Sequence, residues 1–236
     1  MSLTIEKNDC VELSFTGYAN GTVFDSNIPE DLKQLNQEAK PQPLIFFVGQ
    51  GMVVRGLDRE IEGKEIGKQY TAHVLSKEAY GPRSSTLIKT IPLRVFLEKN
   101  VNPQPGMAFA LDNTIAHIRA VSGARVIADL NHPLAGKDLD YKFTIVRKIE
   151  DKKEKSEIFF KLFLGNLPNI EVLENKVVVK ASKAFEAFVN AVKEPFKTLV
   201  GSDLEFIESK ENAPEKAEEK SNPAPEESAE TIQQSL

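Results

Sequence analysis

The residues of this chain that could do chemistry are aromatic and aliphatic, with a few polar groups set among them: Phe15, the pair Phe24-Asp25, Leu44, Phe46, Val53-Val54, Leu57, Tyr80 and Tyr141. Such a set suits a concave apolar pocket that holds a ligand by shape and a few directed hydrogen bonds. Most large apolar residues only fill a core, so the set names candidates and not yet a site. Asp25 reads either as the polar member of that pocket or as a turn residue after a strand. Nothing here is paired for covalent attack. The single cysteine, Cys10, has no histidine close to it in sequence and reads as a structural or exposed thiol. Gly49-Gln50-Gly51 with Gly56 has the wrong spacing for a dinucleotide loop. His73, His117 and His132 lack metal-ligand spacing, so neither a metal nor a cofactor is expected.

The elements that must position these residues are mostly strands. Val11, Leu13 and Phe15 alternate with Glu12 and Ser14, and Asn20-Gly21 is a two-residue hairpin signal that pairs Val11–Ala19 with Thr22–Asp25. Ile28 to Lys40, with a proline near each end, reads as a short helical or irregular excursion. Leu44 to Val48 reads as a buried strand, Leu57 to Glu62 as a short amphipathic helix closed by Gly63, and Lys68 to Ser76 as another strand. From Pro82 to Ala128 the chain is again strand-like and complete enough for a separate module, before a last strand over Leu139–Ile149. Glu150 to Lys155 reads as a charged linker. Beyond it, Ile158, Phe159, Leu162 and Phe163 recur at helical spacing, Ile170–Leu173 and Val177–Lys180 read as a hairpin, Ala184–Leu199 as a helix apart from Pro195, and Leu204–Ile207 as a strand. A unit of that size often needs a partner surface to be stable.

With 236 residues, 41% hydrophobic and 28% charged, the chain has enough apolar material for one or two domains. Its net charge of −5 belongs to the end of the chain, since Glu211 to Leu236 holds seven Glu and two Lys; the remainder is formally neutral, and no basic face points to nucleic acid. Residues 210–236 are expected to form a disordered acidic tail. The longest apolar run, Leu44–Val48, is far too short to cross a membrane, and the polar start Met1–Asp9 has no signal core, which leads to the expectation of a cytoplasmic protein.

Several runs, in order, carry a family resemblance: Val11-Glu12-Leu13-Ser14-Phe15-Thr16-Gly17, Asn20-Gly21-Thr22-Val23-Phe24-Asp25-Ser26, Pro43-Leu44-Ile45-Phe46-Phe47-Val48-Gly49, Val53-Val54-Arg55-Gly56-Leu57 and Glu78-Ala79-Tyr80-Gly81-Pro82. Over about residues 1–150 the chain resembles the FKBP family of peptidyl-prolyl isomerases. Asn131-His132-Pro133-Leu134-Ala135-Gly136-Lys137, with some 45 residues inserted before it, is similar to the SlyD-type subfamily, and the whole layout resembles its long archaeal members. The resemblance implies an α+β fold: an FKBP-like half-wrapped antiparallel β-sheet around one short helix (residues 1–83 and 129–150), a β-rich insert-in-flap chaperone domain (84–128) and a small C-terminal α+β domain (151–209). It places Phe24, Asp25, Val54 and Tyr80 as catalytic residues and Phe15, Leu44, Phe46, Val53, Leu57 and Tyr141 as substrate-binding ones, the Val54 N–H and the Tyr80 hydroxyl holding substrate carbonyls. Phe15 stands where tyrosine is usual, Leu57 where many short members have tryptophan, and Tyr141 where phenylalanine is usual. The tail lacks the His and Cys with which some SlyD-type proteins bind nickel.

The implied activity is prolyl cis-trans isomerisation in unfolded or nascent polypeptides, assisted by client binding on the insert. A non-catalytic holdase that only binds prolyl peptides is the rival. Macrolide inhibitors are candidate ligands, and a homodimer through the C-terminal domain is the assembly implied. Ile88, Ile91, Val95, Phe96, Met107 and Phe109 either face clients or fill the insert's own core. Rotation about a prolyl amide faces a barrier of ~18–20 kcal/mol because twisting breaks resonance, and no bond has to be made. A water-poor apolar site favours the twisted, less polar amide; lowering the barrier by ~6 kcal/mol speeds rotation by ~10⁴.

Overall fold

The computed structural model describes residues 4–35, 41–111 and 114–209. The expected acidic tail over 210–236 and the end of the 28–40 excursion lie outside the described residues. Strand β1 (Cys10–Ala19) turns at Asn20-Gly21 into β2 (Thr22–Ser26), and both turn residues take the positive φ that a type I′ turn requires, 52° and 76°. Next come α1 (Pro29–Leu32), β3 (Leu44–Phe47), α2 (Arg55–Ile61) and β4 (Gln69–Val74). The following stretch holds β5 (Ile88–Pro92), α3 (Leu93–Leu97), β6 (Ala108–Leu111), β7 (Thr114–Ser122) and β8 (Arg125–Asp129). Then β9 (Leu139–Ile149) leads into α4 (Lys152–Leu164), β10 (Asn169–Val172), β11 (Lys176–Ala181), α5 (Glu186–Val200) and β12 (Asp203–Glu208).

These elements form two compact units: one runs to Ala79 and resumes at Asp138, the other is Tyr80–Lys137. In the first, an antiparallel sheet has the order β2-β1-β9-β4, and β3 also pairs with β1. β9 pairs with β1 along its whole length, so β2 and β3 share the other edge, β2 at Thr16–Ala19 and β3 at Cys10–Leu13. Between them the Asn27 side chain stands in for a strand: its Oδ1 accepts the Phe15 N–H at 2.8 Å and its Nδ2 donates to the Leu13 carbonyl at 2.7 Å. Val11, Leu13, Phe15, Tyr141, Phe143, Ile145, Ala72 and Val74 are buried on one face by strand alternation. Helix α2 lies on that face, close enough that a Cβ on Gly56 would strike Val74.

The C-terminal elements belong to this same unit. β10-β11 is the expected hairpin, and β12 joins β11 in parallel after the α5 crossover. Cys10, Phe47 and Ile149 of the first sheet share one apolar cluster with Phe159, Phe160, Val177, Val179, Phe196, Leu199 and Leu204. The partner surface that so small a unit needs is thus supplied by its own chain. Where the sequence reads as a charged linker, α4 begins at once: the Asp151 carboxylate accepts the Glu154 N–H at 2.8 Å, and Arg147 on β9 reaches both Glu12 and Glu154 at 2.7 Å. Inward on α4 are Ser156, Phe159 and Phe160, three and four residues apart; Leu162 and Phe163, expected on that stripe, are 43% and 42% exposed. Helix α5 runs through Pro195, and Phe196, Leu199 and Val200, directly after it, are buried in the core.

In the second unit a four-stranded antiparallel sheet, β5-β8-β7-β6, buries Ile91, Ala116, Ile118, Val126 and Ala128 on one face with Phe96 of α3. Leu93–Leu97, expected to be strand-like, is helical because Leu93 and Phe96, three apart, both meet that core. Of the apolar residues with two readings, Ile91 and Phe96 are core, Val95 and Phe109 pack against it, and Ile88 and Met107 are exposed. Asp129, 2% exposed, is held by Arg83, by Arg119 at 3.4 Å and by the Asn131 amide at 2.8 Å. A buried carboxylate is tolerated only with such partners. Among the described residues no helix is long and apolar enough to cross a membrane.

The shared core of the first unit makes Cys10 a reporter. Burial pushes its thiol up to about 12, so the native chain is expected to be inert to thiol reagents at neutral pH. Phe159→Ala is expected to cost about 3–5 kcal/mol, read as a lower urea midpoint, and to speed labelling of Cys10 by opening the cavity beside it.

Candidate active site

The β1–β2 hairpin is not regular. Gly17 pairs with Asp25 while Tyr18 pairs with Val23, so Phe24 is an extra residue bulged out of the ladder. The bulge turns the Phe24 ring onto the sheet face, edge-on to Tyr141 at 5.9 Å and 84°, and the Phe15 ring also meets Tyr141, at 6.4 Å. Gly17 makes this possible. A Cβ there would lie 2.7 Å from Phe24 Cζ and 3.1 Å from Tyr141 Cε1. Asp25 sits beside this trio, exposed on one side; burial of the rest raises its carboxyl above the ordinary value, opposed by a hydrogen bond from the Ser26 backbone.

Strand β3 brings Leu44 opposite Leu13 and Phe46 opposite Val11, on the same face as Phe15. Phe46 and Leu57 are 1% and 2% exposed, whereas Phe24, Leu44, Val53 and Val54 are half-buried. Val54 is the N-cap of α2, and its carbonyl accepts the Asp58 N–H at 3.0 Å. The loop before it is tied down by the Asp58 carboxylate, buried on α2, which accepts the Gly49 N–H at 2.7 Å and the Gly51 N–H at 3.0 Å. Both glycines take positive φ, 79° and 67°, which aims their N–H groups at one acceptor. The glycine run therefore serves to set Val53-Val54. On the far side of α2, Arg59 makes a two-pronged ion pair with Glu78 at 2.8 and 2.9 Å and holds that carboxyl below its usual range.

Tyr80 opens the second unit. It is 39% exposed and stacks on His132 at 4.1 Å and 4°. Nine of the ten expected site residues lie in the first unit, and Tyr80 stands in the second. His73 pairs with Asp140 at 2.7 Å, and that pairing raises its pKa. Among the described residues no three His, Cys, Asp or Glu side chains gather where they could hold a metal ion.

With this geometry in place, the comparisons with known proteins become specific. The model described as FKBP-type peptidyl-prolyl cis-trans isomerase matches residues 2–96, and the one described as FKBP26, IF domain, matches residues 89–134. The short-type peptidyl-prolyl cis-trans isomerase of Methanocaldococcus jannaschii is 34% identical over 150 residues, covering 62% of this chain and 93% of its own. The chain belongs to the FKBP-type peptidyl-prolyl cis-trans isomerase family. Proteins named FKBP-type peptidyl-prolyl cis-trans isomerase SlyD in Haemophilus influenzae and Vibrio cholerae are 29% and 32% identical, covering 65% and 61% of this chain and 77% and 68% of theirs. The first match takes in β1 to β4 with α2, and the second falls within the separate β-rich unit.

Three residues that shape this part of the first unit have only a faint signal in the sequence. Gly17 is a glycine inside a strand, which is itself a mark of close approach. Asp58 and Asn27 are ordinary polar residues until the groups they bond are known. Gly17→Ala is expected to displace the Phe24 ring by about an ångström and lower kcat/KM for a short prolyl peptide about ten- to a hundredfold, with the chain still folded. Asp58→Ala should lower it too, by freeing the glycine N–H groups, and Asp58→Asn, which keeps an acceptor, should fall between. Exchange spectroscopy of the peptide well below the unfolding temperature measures all three.

Proposed function

We propose that this FKBP-type isomerase rotates prolyl amides in unfolded or nascent polypeptides, with the proline ring seated where Phe15, Phe24 and Tyr141 converge. The observation that carries this is the bulged Phe24 laid over the bare Gly17, which leaves aromatic surface beside one partly buried carboxylate. Phe46 and Leu57 close the floor, and Leu44 and Val53 the sides. An apolar seat favours the twisted amide over the planar one because twisting lowers the polarity of the C–N bond. By family resemblance, the Val54 N–H and the Tyr80 hydroxyl are the groups that hold substrate carbonyls. Asp25 faces the twisted amide with a carboxylate that burial has made less willing to ionise.

The second unit captures clients. On the sheet face opposite its core, pairing aligns Ile88 with Asp129, Thr90 with Ile127 and Ile115 with Ala110. Ile115 is 65% exposed and Ile88 40%, beside the small side chains of Ala108 and Ala110, and such a face suits an extended apolar segment. Tethering a chain there raises the local concentration of its prolines. The protein works in the cytoplasm, macrolide inhibitors compete for the proline seat, and a second copy docks on the C-terminal elements, where Leu162, Phe163 and Leu167 are exposed.

Phe24→Ala and Tyr80→Ala are expected to remove acceleration of short-peptide exchange. Replacing Ile88 and Ile115 with Ser should leave peptide exchange unchanged and slow proline-limited refolding of a protein at least severalfold. A wild-type chain that suppresses aggregation without changing any prolyl exchange rate establishes the holdase instead. Sedimentation of the full chain against Leu162→Ser/Phe163→Ser reads the dimer, which the double variant is expected to lose.

A further inference from the structure

The Asn131–Gly136 turn has no part in the chemistry above, yet within the second unit it meets the segment carrying Tyr80 repeatedly. Gly136 N–H donates to the Gly81 carbonyl at 2.8 Å. The Asn131 amide accepts the Ser84 N–H at 2.8 Å and donates to the Ser84 carbonyl at 2.9 Å. The fourth meeting is the stack of His132 on Tyr80, with centroids 4.1 Å apart and planes within 4° of parallel.

We infer that His132 is a positioning residue for Tyr80: its imidazole is the platform that fixes the direction of the Tyr80 hydroxyl. The inference rests on the reading of Tyr80 as a donor to the substrate. A tyrosine turns about two side-chain torsions. A parallel aromatic partner restrains both, because tilting or swinging the phenol breaks the stack. The preference such a pair supplies is about two- to tenfold in population.

A platform is useful only if it is itself held. The His132 Nδ1 accepts the Leu134 N–H at 3.1 Å, and the His132 carbonyl accepts the Ala135 N–H at 2.9 Å. The first bond ties the ring to the turn, and the second closes the turn on itself. Because the turn is bonded to Gly81 and Ser84, the imidazole rides on the same frame as the Tyr80 backbone. The phenol is thus oriented by a short closed circuit of bonds, and an adjacent Pro133 stiffens the turn.

The two functions of His132 can be separated in the full chain. His132→Asn keeps an acceptor where Nδ1 stands and removes the stack; His132→Phe keeps the stack and removes the acceptor. For a short prolyl peptide, His132→Asn is expected to lower kcat/KM two- to tenfold, chiefly in kcat, and to move the Tyr80 ring proton resonances downfield as the ring current is lost. His132→Phe, which keeps the stack but loses the bond that ties the ring to the turn, should fall between His132→Asn and wild type. Tyr80→Phe should fall at least as far as His132→Asn, and the double variant no further than Tyr80→Phe alone, which marks a residue acting through Tyr80. Full activity of His132→Asn, equal loss in His132→Phe, or additive losses in the double variant overturns the positioning role while leaving Tyr80 in place. An unaffected Tyr80→Phe overturns the catalytic reading of Tyr80, and this inference with it.

Discussion

A ten-residue strand through the middle of a sheet must satisfy its backbone groups on both edges, and β1 does so with three different partners. β9 runs the length of one edge. The other is shared by β2, the Asn27 amide and β3 in succession. This splice lets the chain leave the sheet after β2 and return at β3 without leaving the Leu13 carbonyl or the Phe15 N–H bare, a loss that would cost about 1–3 kcal/mol for each group. It also decides what the face contains. β2 need only be long enough to carry a bulge, and β3 only long enough to deliver Leu44 and Phe46. A register shift of one residue along β1 would turn Phe15 to the other face, away from Tyr141, which β4 holds in place.

Much of this was legible from residue types. The alternation of β1, the Asn-Gly turn, the short helix after Val54 and the long return strand β9 lie where periodicity and turn chemistry place them, because each is set by local pattern and by burial on one side. What periodicity misses is how tertiary contacts use the same residues. Phe24 alternates within its strand like any other residue, and only the register with Gly17 shows that it is displaced from the ladder. Gly49-Gln50-Gly51 suggests a loop of some kind, but its purpose lies in an acceptor seven to nine residues later in a helix. In the C-terminal part, Leu162 and Phe163 look as apolar as Phe159 and Phe160, and the contact with β1 and β9 chooses between them. The helical stretch at Leu93–Leu97 is five residues long, too short for its period to stand out against neighbouring strands.

That contact also explains why the segment after Glu150 is held without a linker. Arg147, Glu12 and Glu154 tie β9, β1 and α4 together at the surface; exposed pairs of this kind contribute little. The weight falls on apolar burial below them, where Phe47 meets Phe159 edge-on at 6.4 Å and Phe159 meets Phe196 at 5.0 Å. Cys10 belongs to this layer, a small apolar residue at the end of a strand, and its raised thiol is a consequence of that place.

The departures at Phe15 and Leu57 are tolerable for a reason that lies in the reaction. Rotation moves no proton and forms no bond, so the protein need not match an acid or base to a reacting atom, and an apolar, water-poor surface suits it. A hydroxyl missing at Phe15 removes one means of orienting Asp25, but the Ser26 N–H still bonds that carboxylate and the β-bulge fixes the backbone beneath it. Leu57, smaller than tryptophan, stays 2% exposed because α2 is drawn close to the sheet at Gly56. What Phe15 and Leu57 show is that side chains on this face can change while the backbone features beneath them stay, namely the bulge at Phe24, the bare Gly17 and the glycine turn tied by Asp58.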